Sequence, residues 1–406
     1  MKSILIPEYL AGFKCIGSAC EDTCCAGWDV AVDKRTYQAY RKIQHPHMTE
    51  KLQQNVKRNH KQYNDVNYAK FILDQDKKCS MLLEDGLCSI HKELGEAYLC
   101  NTCANYPRVF TQVGDVVEKS LTLSCPEAAR LVLLREEGLG FIETEEAKEI
   151  RGTFSNKLVL ERNPYFWDIR VFIIQLMQSR QQSIEIRLII LGLFLQKVEQ
   201  VTPYELEREL PAIIQDYLKR LDNEEFVSSL QNIKGNLSFQ FNLVRKLIQY
   251  RMSGGGVTEK YLKIFNQILE GLNLEEDEKR KVQDIEKSML KYQEAYSNFY
   301  EPFIQKQEYM LENYIVNYIF KNLFPCDYST FFESYRMLIV HFTLIKLHVI
   351  GISAKQQRLT EEMVIECIQQ LVKVIEHHSA YLQGVREGME NSGYTTMGHM
   401  FVMIKN

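Results

Sequence analysis

A chain of 406 residues with 45% hydrophobic and 25% charged content is ordinary globular material rather than disorder, long enough for two domains or one large composite. Its net charge of −4 gives no overall attraction to nucleic acid or anionic lipid, so no nucleic-acid partner is expected. The opening Met-Lys-Ser-Ile-Leu-Ile-Pro7-Glu8 does not read as a secretory signal, because its apolar run is short and interrupted by proline and glutamate.

No window of about 18 uninterrupted apolar residues occurs, so no membrane span is expected. The richest stretch, Val171 to Leu195, is broken by Gln175, Ser179, Arg180, Gln181, Gln182, Glu185 and Arg187. The expected compartment is the cytoplasm, where thiols stay reduced and clustered cysteines hold metal more often than disulfides.

Residues 1–130 read as short mixed segments forming a cysteine-rich metal module, and 131–406 as a helical domain: mainly α overall. Trp28 to Asp33 alternates as a short strand would, and Asp33 is placed to cap a helix through Tyr40. Phe71-Ile-Leu and Met81 to Cys88 suggest a hairpin turning at Asp85-Gly86, and Val109 to Leu123 a second one turning at Gly114-Asp115. Pro126 opens a helix that Gly138 and Gly140 close. Beyond it, Thr202-Pro203-Tyr204-Glu205 is a capping box, and Thr360-Glu361-Glu362 starts another helix. Apolar residues recur at helical spacing in Ile213 to Leu221, Tyr261 to Leu272, Ile315 to Leu323 and Met337 to Val349. Ser253 to Gly256 reads as a linker and Glu275 to Lys291 as a solvated helix face.

Nine of the eleven cysteines lie in the first 125 residues: Cys15, Cys20, Cys24, Cys25, Cys79, Cys88, Cys100, Cys103 and Cys125. Buried structural cysteines scatter along a chain, so this density points to metal. Cys20-x3-Cys24 and Cys100-x2-Cys103 have zinc-pair spacing, with His91 able to replace one thiolate. Cys125-Pro126 has the form of a closing ligand in bacterial ferredoxins. Nine thiolates exceed one four-ligand site, so either two sites exist or some are spectators. Cys-x3-Cys-x2-Cys is absent, because Gly27 stands where the third cysteine is needed. Spacing alone leaves a structural metal and a working one equally open.

Phe13-Lys-Cys15, Cys24-Cys25-x-Gly27-Trp28, Cys88-x-Ile-His91, Cys100-x2-Cys103-x2-Tyr106-Pro107-Arg108 and Ser124-Cys125-Pro126-Glu127 resemble the flagellin lysine N-methylases. Glu312 to Phe320 followed by Phe324-Pro325 is similar to a stretch of the same family. The resemblance covers most of the chain. It implies methyl transfer from S-adenosylmethionine to lysine side chains of flagellin, with an iron–sulfur cluster, expected as 4Fe–4S, as the metal centre and zinc as the alternative.

Such chemistry needs a deprotonated lysine in line with a sulfonium methyl group. Arg108 and Tyr106 are the candidate donor-binding residues; packed in a turn, Arg108 would instead lie on Tyr106 or pair with an acid. No dinucleotide-type glycine turn is found, since Gly138-Leu-Gly140 and Ser253 to Gly256 each follow a helix. The tyrosines at 292, 296, 300, 309, 314 and 318 read as core at helical spacing. Glu312 and His341 are possible bases, while His341, His348 and His377-His378 lie too far apart in sequence to define a site, so the catalytic group is left unknown. A metal store or sensor and an iron–sulfur redox protein are the rival readings.

Overall fold

The computed structural model describes residues 2–60, 64–146, 151–152, 154–255, 257–274 and 282–405. Two sheets lie in the first 158 residues, and helices make up the rest. The larger sheet has five strands in the order β7-β1-β6-β5-β8: β1 (Lys2–Pro7), β5 (Arg108–Val113), β6 (Val116–Leu121), β7 (Phe141–Glu146) and β8 (Asn156–Leu158). β1 runs parallel to β6 and antiparallel to β7, so the chain's opening segment is locked in by partners more than a hundred residues away. Its alternation buries Ile4 and Ile6 against the helices. β5 and β6 form the predicted hairpin, with Gly114 at φ +56° in its turn.

The smaller sheet is β2 (Ala31–Val32), β4 (Ala69–Phe71) and β3 (Val56–Arg58), with β4 in the middle. It has its own core of Val30, Val32, Tyr40, Met48, Leu52, Val56, Ala69, Phe71, Met81 and Ile90, together with Cys79 and Cys100. Buried apolar residues between 30 and 103 thus share one small core, those of 4–13 and most from 110 onward belong to the large helical one, and Val113, Leu158, Phe166 and Leu323 form a third cluster. Asp33 caps the Lys34–Tyr40 helix as expected, accepting from Thr36 N–H at 2.9 Å. Only Ala31 and Val32 of the predicted Trp28–Asp33 strand are strand. Met81 to Cys88 does not pair with Phe71, because both edges of β4 are already taken by β2 and β3. It closes on itself instead: Leu83 O accepts from Gly86 N–H at 3.0 Å, and Asp85 Oδ1 from Leu87 N–H at 3.1 Å.

The four periodic helical stretches, the Thr202 capping box and the Thr360 cap all form where the sequence places them. Gly256 of the linker and residues 275–281 of the charged segment lie outside the described residues, and Val282–Ala295 is helix. Val171 to Leu195 divides between the helices Phe166–Met177 and Ile184–Glu199. Among the described residues, one helix is long and apolar enough to cross a bilayer, Phe331–Gln356, and its apolar window is wholly buried inside the protein. Lys346 within it is paired there: its Nζ reaches Glu185 at 2.6 Å and the Ile404 carbonyl at 2.8 Å.

Gly192 sits inside the Ile184–Glu199 helix, where a Cβ would overlap Met397 Cε and the Tyr335 ring. Gly192→Ala is therefore expected to destabilise by about 1–3 kcal/mol despite alanine's better helix propensity, an overpacking cost that thermal denaturation would register.

Candidate active site

The loop carrying Cys24 to Trp28 lies antiparallel along residues 77–79: Cys79 N–H bonds to Cys25 O at 2.7 Å, and Gly27 N–H to Lys77 O at 3.0 Å. Gly27 adopts φ +90°, and a side chain there would strike Thr258 Cγ2, so the loop sits flush on the helical body. Cys88 and Cys100 precede the short helices Ser89–Leu94 and Asn101–Asn105, and Cys103 lies on the second of these.

The nine predicted ligands divide into two groups. Cys25 lies within electrostatic reach of Cys24 and Cys88, Cys100 of Cys103, and Cys79 of Cys24, Cys88 and Cys100. The neighbouring Cys25 thiol holds Cys88 down at about 6. Cys15, Cys20 and Cys125 form the second group around the start of the Pro126–Leu133 helix, where burial pushes Cys125 up to about 12. Six thiols within reach of one another suit a soft metal or an iron–sulfur cluster by donor type. Among the described residues, however, no three His, Cys, Asp or Glu side chains stand at spacings that would hold an ion.

Between the two groups, Asp22 pins the loop to the Glu361–Ile375 helix. Its Oδ2 accepts from Gln369 and Gln370 at 2.9 Å each and from Lys373 Nζ at 2.8 Å. Trp28 donates from Nε1 to Cys24 O at 3.0 Å and stacks on His377, with ring centroids 4.9 Å apart. His377 Nε2 meets Ser124 Oγ at 2.8 Å, and Tyr106 OH meets the same oxygen at 3.1 Å.

His377 opens onto a cleft of about 380 Å³ between the β5–β6 hairpin and the helical body. Its ionisable lining is Lys321, Asp327, His341, Glu376 and His377, joined by Tyr318 and Tyr328. Two stacked rings thus span from the Cys24 backbone to this cleft. Lys321 is paired with Glu376, whose carboxyl stays below the usual carboxylate range because Lys321 and His341 outweigh its burial. His341 Nδ1 bonds to Tyr314 OH at 2.9 Å, and its buried Nε2 has no hydrogen-bond partner. Burial lowers His341 and His377 to about 4 and raises Asp327 to about 6. At neutral pH the cleft therefore holds neutral imidazoles, one carboxylate and one ion pair.

The sequence-predicted residues fall unevenly around it. Tyr106 stands at the module side through Ser124. Arg108 lies over the Phe13 ring at 5.1 Å rather than on Tyr106. His341 and His377, distant in sequence, line the same cleft, whereas His348 bonds to Tyr261 OH at 2.9 Å in the core and His378 caps the Ser379–Asn391 helix. Glu312, considered as a base, is 1% exposed and bonded to Arg180 and Arg187, so its oxygens serve the core. Asp327, Lys321 and Glu376 went unremarked in the sequence. The available signal for Asp327 was an acid in the short break after Pro325 between two apolar helices.

The buried histidines predict acid lability. His341 and His348 each titrate at about 4 in the fold against about 6.5 unfolded, so between those values the unfolded chain holds the extra proton. Stability therefore rises with pH across that window and is lost as pH falls through it, by roughly 3 kcal/mol per histidine. Asp327, raised rather than lowered, opposes this in part. Denaturation midpoints measured from pH 7 to 4 should fall, and less steeply in His348→Gln once its lower starting stability is subtracted.

A mainly helical body that closes a polar, carboxylate-bearing cleft against a β-hairpin, with a thiol-rich module beside it, has the form of a cleft enzyme with a cysteine-rich appendage. Residues 170–403 match the C-terminal domain of the FliB lysine N-methylases, and the chain belongs to that family. It is similar to a lysine-N-methylase of Salmonella choleraesuis (strain SC-B67), at 24% identity over 96% of both chains. It is also similar to a lysine-N-methylase of Salmonella typhimurium (strain LT2), at 26% identity over 80% of both. The flagellar biosynthetic protein FliU of Salmonella muenchen is 33% identical over 138 residues, covering 33% of this chain and 79% of FliU. No solved structure matches. The enzyme is thus a protein-lysine N-methyltransferase by family. All five ionisable cleft residues fall inside the matched C-terminal region, and the nine clustered cysteines precede it.

Proposed function

We propose that this chain transfers methyl groups from S-adenosylmethionine to lysine side chains of flagellin in the cytoplasm, with a cysteine-bound iron–sulfur cluster of the 4Fe–4S form in its N-terminal module. The observation that carries this reading is the end-to-end similarity to a lysine-N-methylase, over 96% of both chains, supported by a flagellar relative that matches a third of the chain. The donor supplies a methyl group on a cationic sulfur. The chain's part is to admit an extended lysine, strip its proton and align its nitrogen.

The cleft is the proposed site, since its carboxylates and aromatic rings suit cations. Tyr106 and Arg108, at the strand end beside it, are the proposed contacts for the donor's carboxylate. The six-thiol group is the proposed cluster site, reached from the cleft through Trp28 and His377.

Equilibrium dialysis of anaerobically purified protein with labelled S-adenosylmethionine tests the donor. Stoichiometric retention is expected, and none would defeat the reading. Iron and acid-labile sulfide in the same preparation test the cluster, with colourless zinc protein the contrary result.

A further inference from the structure

We infer that Asp327 receives the ammonium group of the lysine entering the cleft and takes its proton, an assignment that rests on the methyl-transfer reading above. Asp327 lies between the helices Tyr309–Asn322 and Phe331–Gln356 and lines the cleft. Its Oδ1 is buried without a hydrogen-bond partner, and its Oδ2 receives a bond from Tyr318 OH at 3.4 Å. The hydroxyl beside it, on Ser334, donates to the Pro325 carbonyl at 2.8 Å, and with Tyr318 and the Asp327 backbone N–H it only partly offsets the carboxylate's burial. An enclosed carboxylate oxygen left unsatisfied is costly, and a cationic donor from outside the chain is what it lacks.

The surroundings favour such a donor. Lys321 is committed to Glu376, and the nearby cations are paired as well: Arg386 with Glu333 at 3.2 Å, Lys373 with Asp22 at 2.8 Å, and Arg170 with Glu118. The cleft therefore keeps one net negative charge, with Tyr318 and Tyr328 in its lining to face an alkylammonium. His341 offers the second unpartnered atom, yet burial has made it the weaker base: about 4, against about 6 for Asp327. The usual order of carboxylate and imidazole is inverted, and the proton goes to the carboxylate.

The step balances. The lysine N–H bond breaks with its proton passing to an Asp327 oxygen, leaving a neutral amine and a neutral carboxylic acid. The amine lone pair then forms a bond to the methyl carbon of a sulfonium donor. The carbon–sulfur bond breaks with its electron pair kept by sulfur, giving a thioether and a methylated ammonium.

The test uses full-length protein labelled with ¹³C at aspartate side-chain carboxyls, the Asp327 signal being the one missing from Asp327→Asn. Probes are the pentapeptide acetyl-Ala-Ala-Lys-Ala-Ala-amide and its norleucine counterpart, added without donor. The lysine peptide is expected to move the Asp327 signal and the norleucine peptide to leave it. Asp327→Asn should lose at least tenfold in lysine-peptide affinity and about 100-fold in methyl transfer to flagellin, with Asp327→Glu restoring part of both. An unmoved signal overturns the inference in the parent protein, whatever the variant's folding. Transfer by Asp327→Asn at the parent rate overturns it too, leaving the methyl-transfer reading intact. A signal that moves in a parent unable to methylate flagellin upholds the cation site and defeats that reading instead.

Discussion

Glu312→Ala is expected to cost about 3 kcal/mol of folding stability, because it removes one of the two carboxylates that compensate the buried charge of Arg187 and leaves only Glu308. Arg187 is 0% exposed and reaches Glu312 Oε2 at 2.8 Å, with a second contact to Glu308. Arg180 binds the same carboxylate from the other side, Nε to Oε2 at 3.0 Å and Nη2 to Oε1 at 2.8 Å. The network ties the Tyr309–Asn322 helix, which carries Tyr318 and Lys321, to the start of the Ile184–Glu199 helix. Chemical denaturation would show the loss as a lower midpoint with an unchanged slope. The paired change Arg187→Met with Glu312→Leu should recover much of it, since it removes both charges rather than one. A Glu312→Ala protein of parental stability that cannot transfer methyl groups would instead make Glu312 the base.

The second large effect is expected at Cys103. Cys103→Ser removes a thiol from the six-sulfur group at the base of the small core, where Cys79 and Cys100 are buried. Metal-binding free energy in small thiolate modules is on the order of 10 kcal/mol and appears as folding free energy. The variant should therefore lose metal and most of the protection of amides in residues 30–103 while the helical body keeps its own. Cys125→Ser, in the separate group with Cys15 and Cys20, gives the comparison. Metal lost from both variants means both groups bind it, and loss from Cys103→Ser alone assigns it to the six. Unchanged metal in both removes these residues from the ligand set.

Local signals in the chain proved readable. Asp33, Thr202 and Thr360 cap helices because one side chain meets one backbone amide a few residues away, a geometry independent of the rest of the fold. Gly114 turns the β5–β6 hairpin just as locally, through a backbone at φ +56° that glycine adopts freely. What depended on distant partners was not readable. β1 is an ordinary apolar hexapeptide until β6 and β7 close around it. Phe71 looked free to pair forward, but β3 reached it first from the N-terminal side. At the site, helix periodicity marked Tyr314 and Tyr318 as core, and most of their surface is, while His341, named as a possible base, is just as buried. The cleft arises where Asp327 interrupts that core and Glu376 and His377 arrive from another helix end, a coincidence of tertiary packing that no window of sequence contains. Glu312 shows the converse: a carboxylate expected at a helix surface lies inside because two arginines more than a hundred residues earlier meet it there. The cysteines were legible as a set and not as two groups, because chain order interleaves them: Cys24 and Cys25 follow Cys20 by a few residues yet face different sulfurs.

The most direct measurement is the intact mass of flagellin produced in cells with and without this protein. The account predicts flagellin heavier by whole methyl increments when the protein is present, located on lysine by fragmentation and absent from lysine-to-arginine flagellin. Flagellin of identical mass in both strains, with the protein expressed, folded and loaded with its metal, would contradict it.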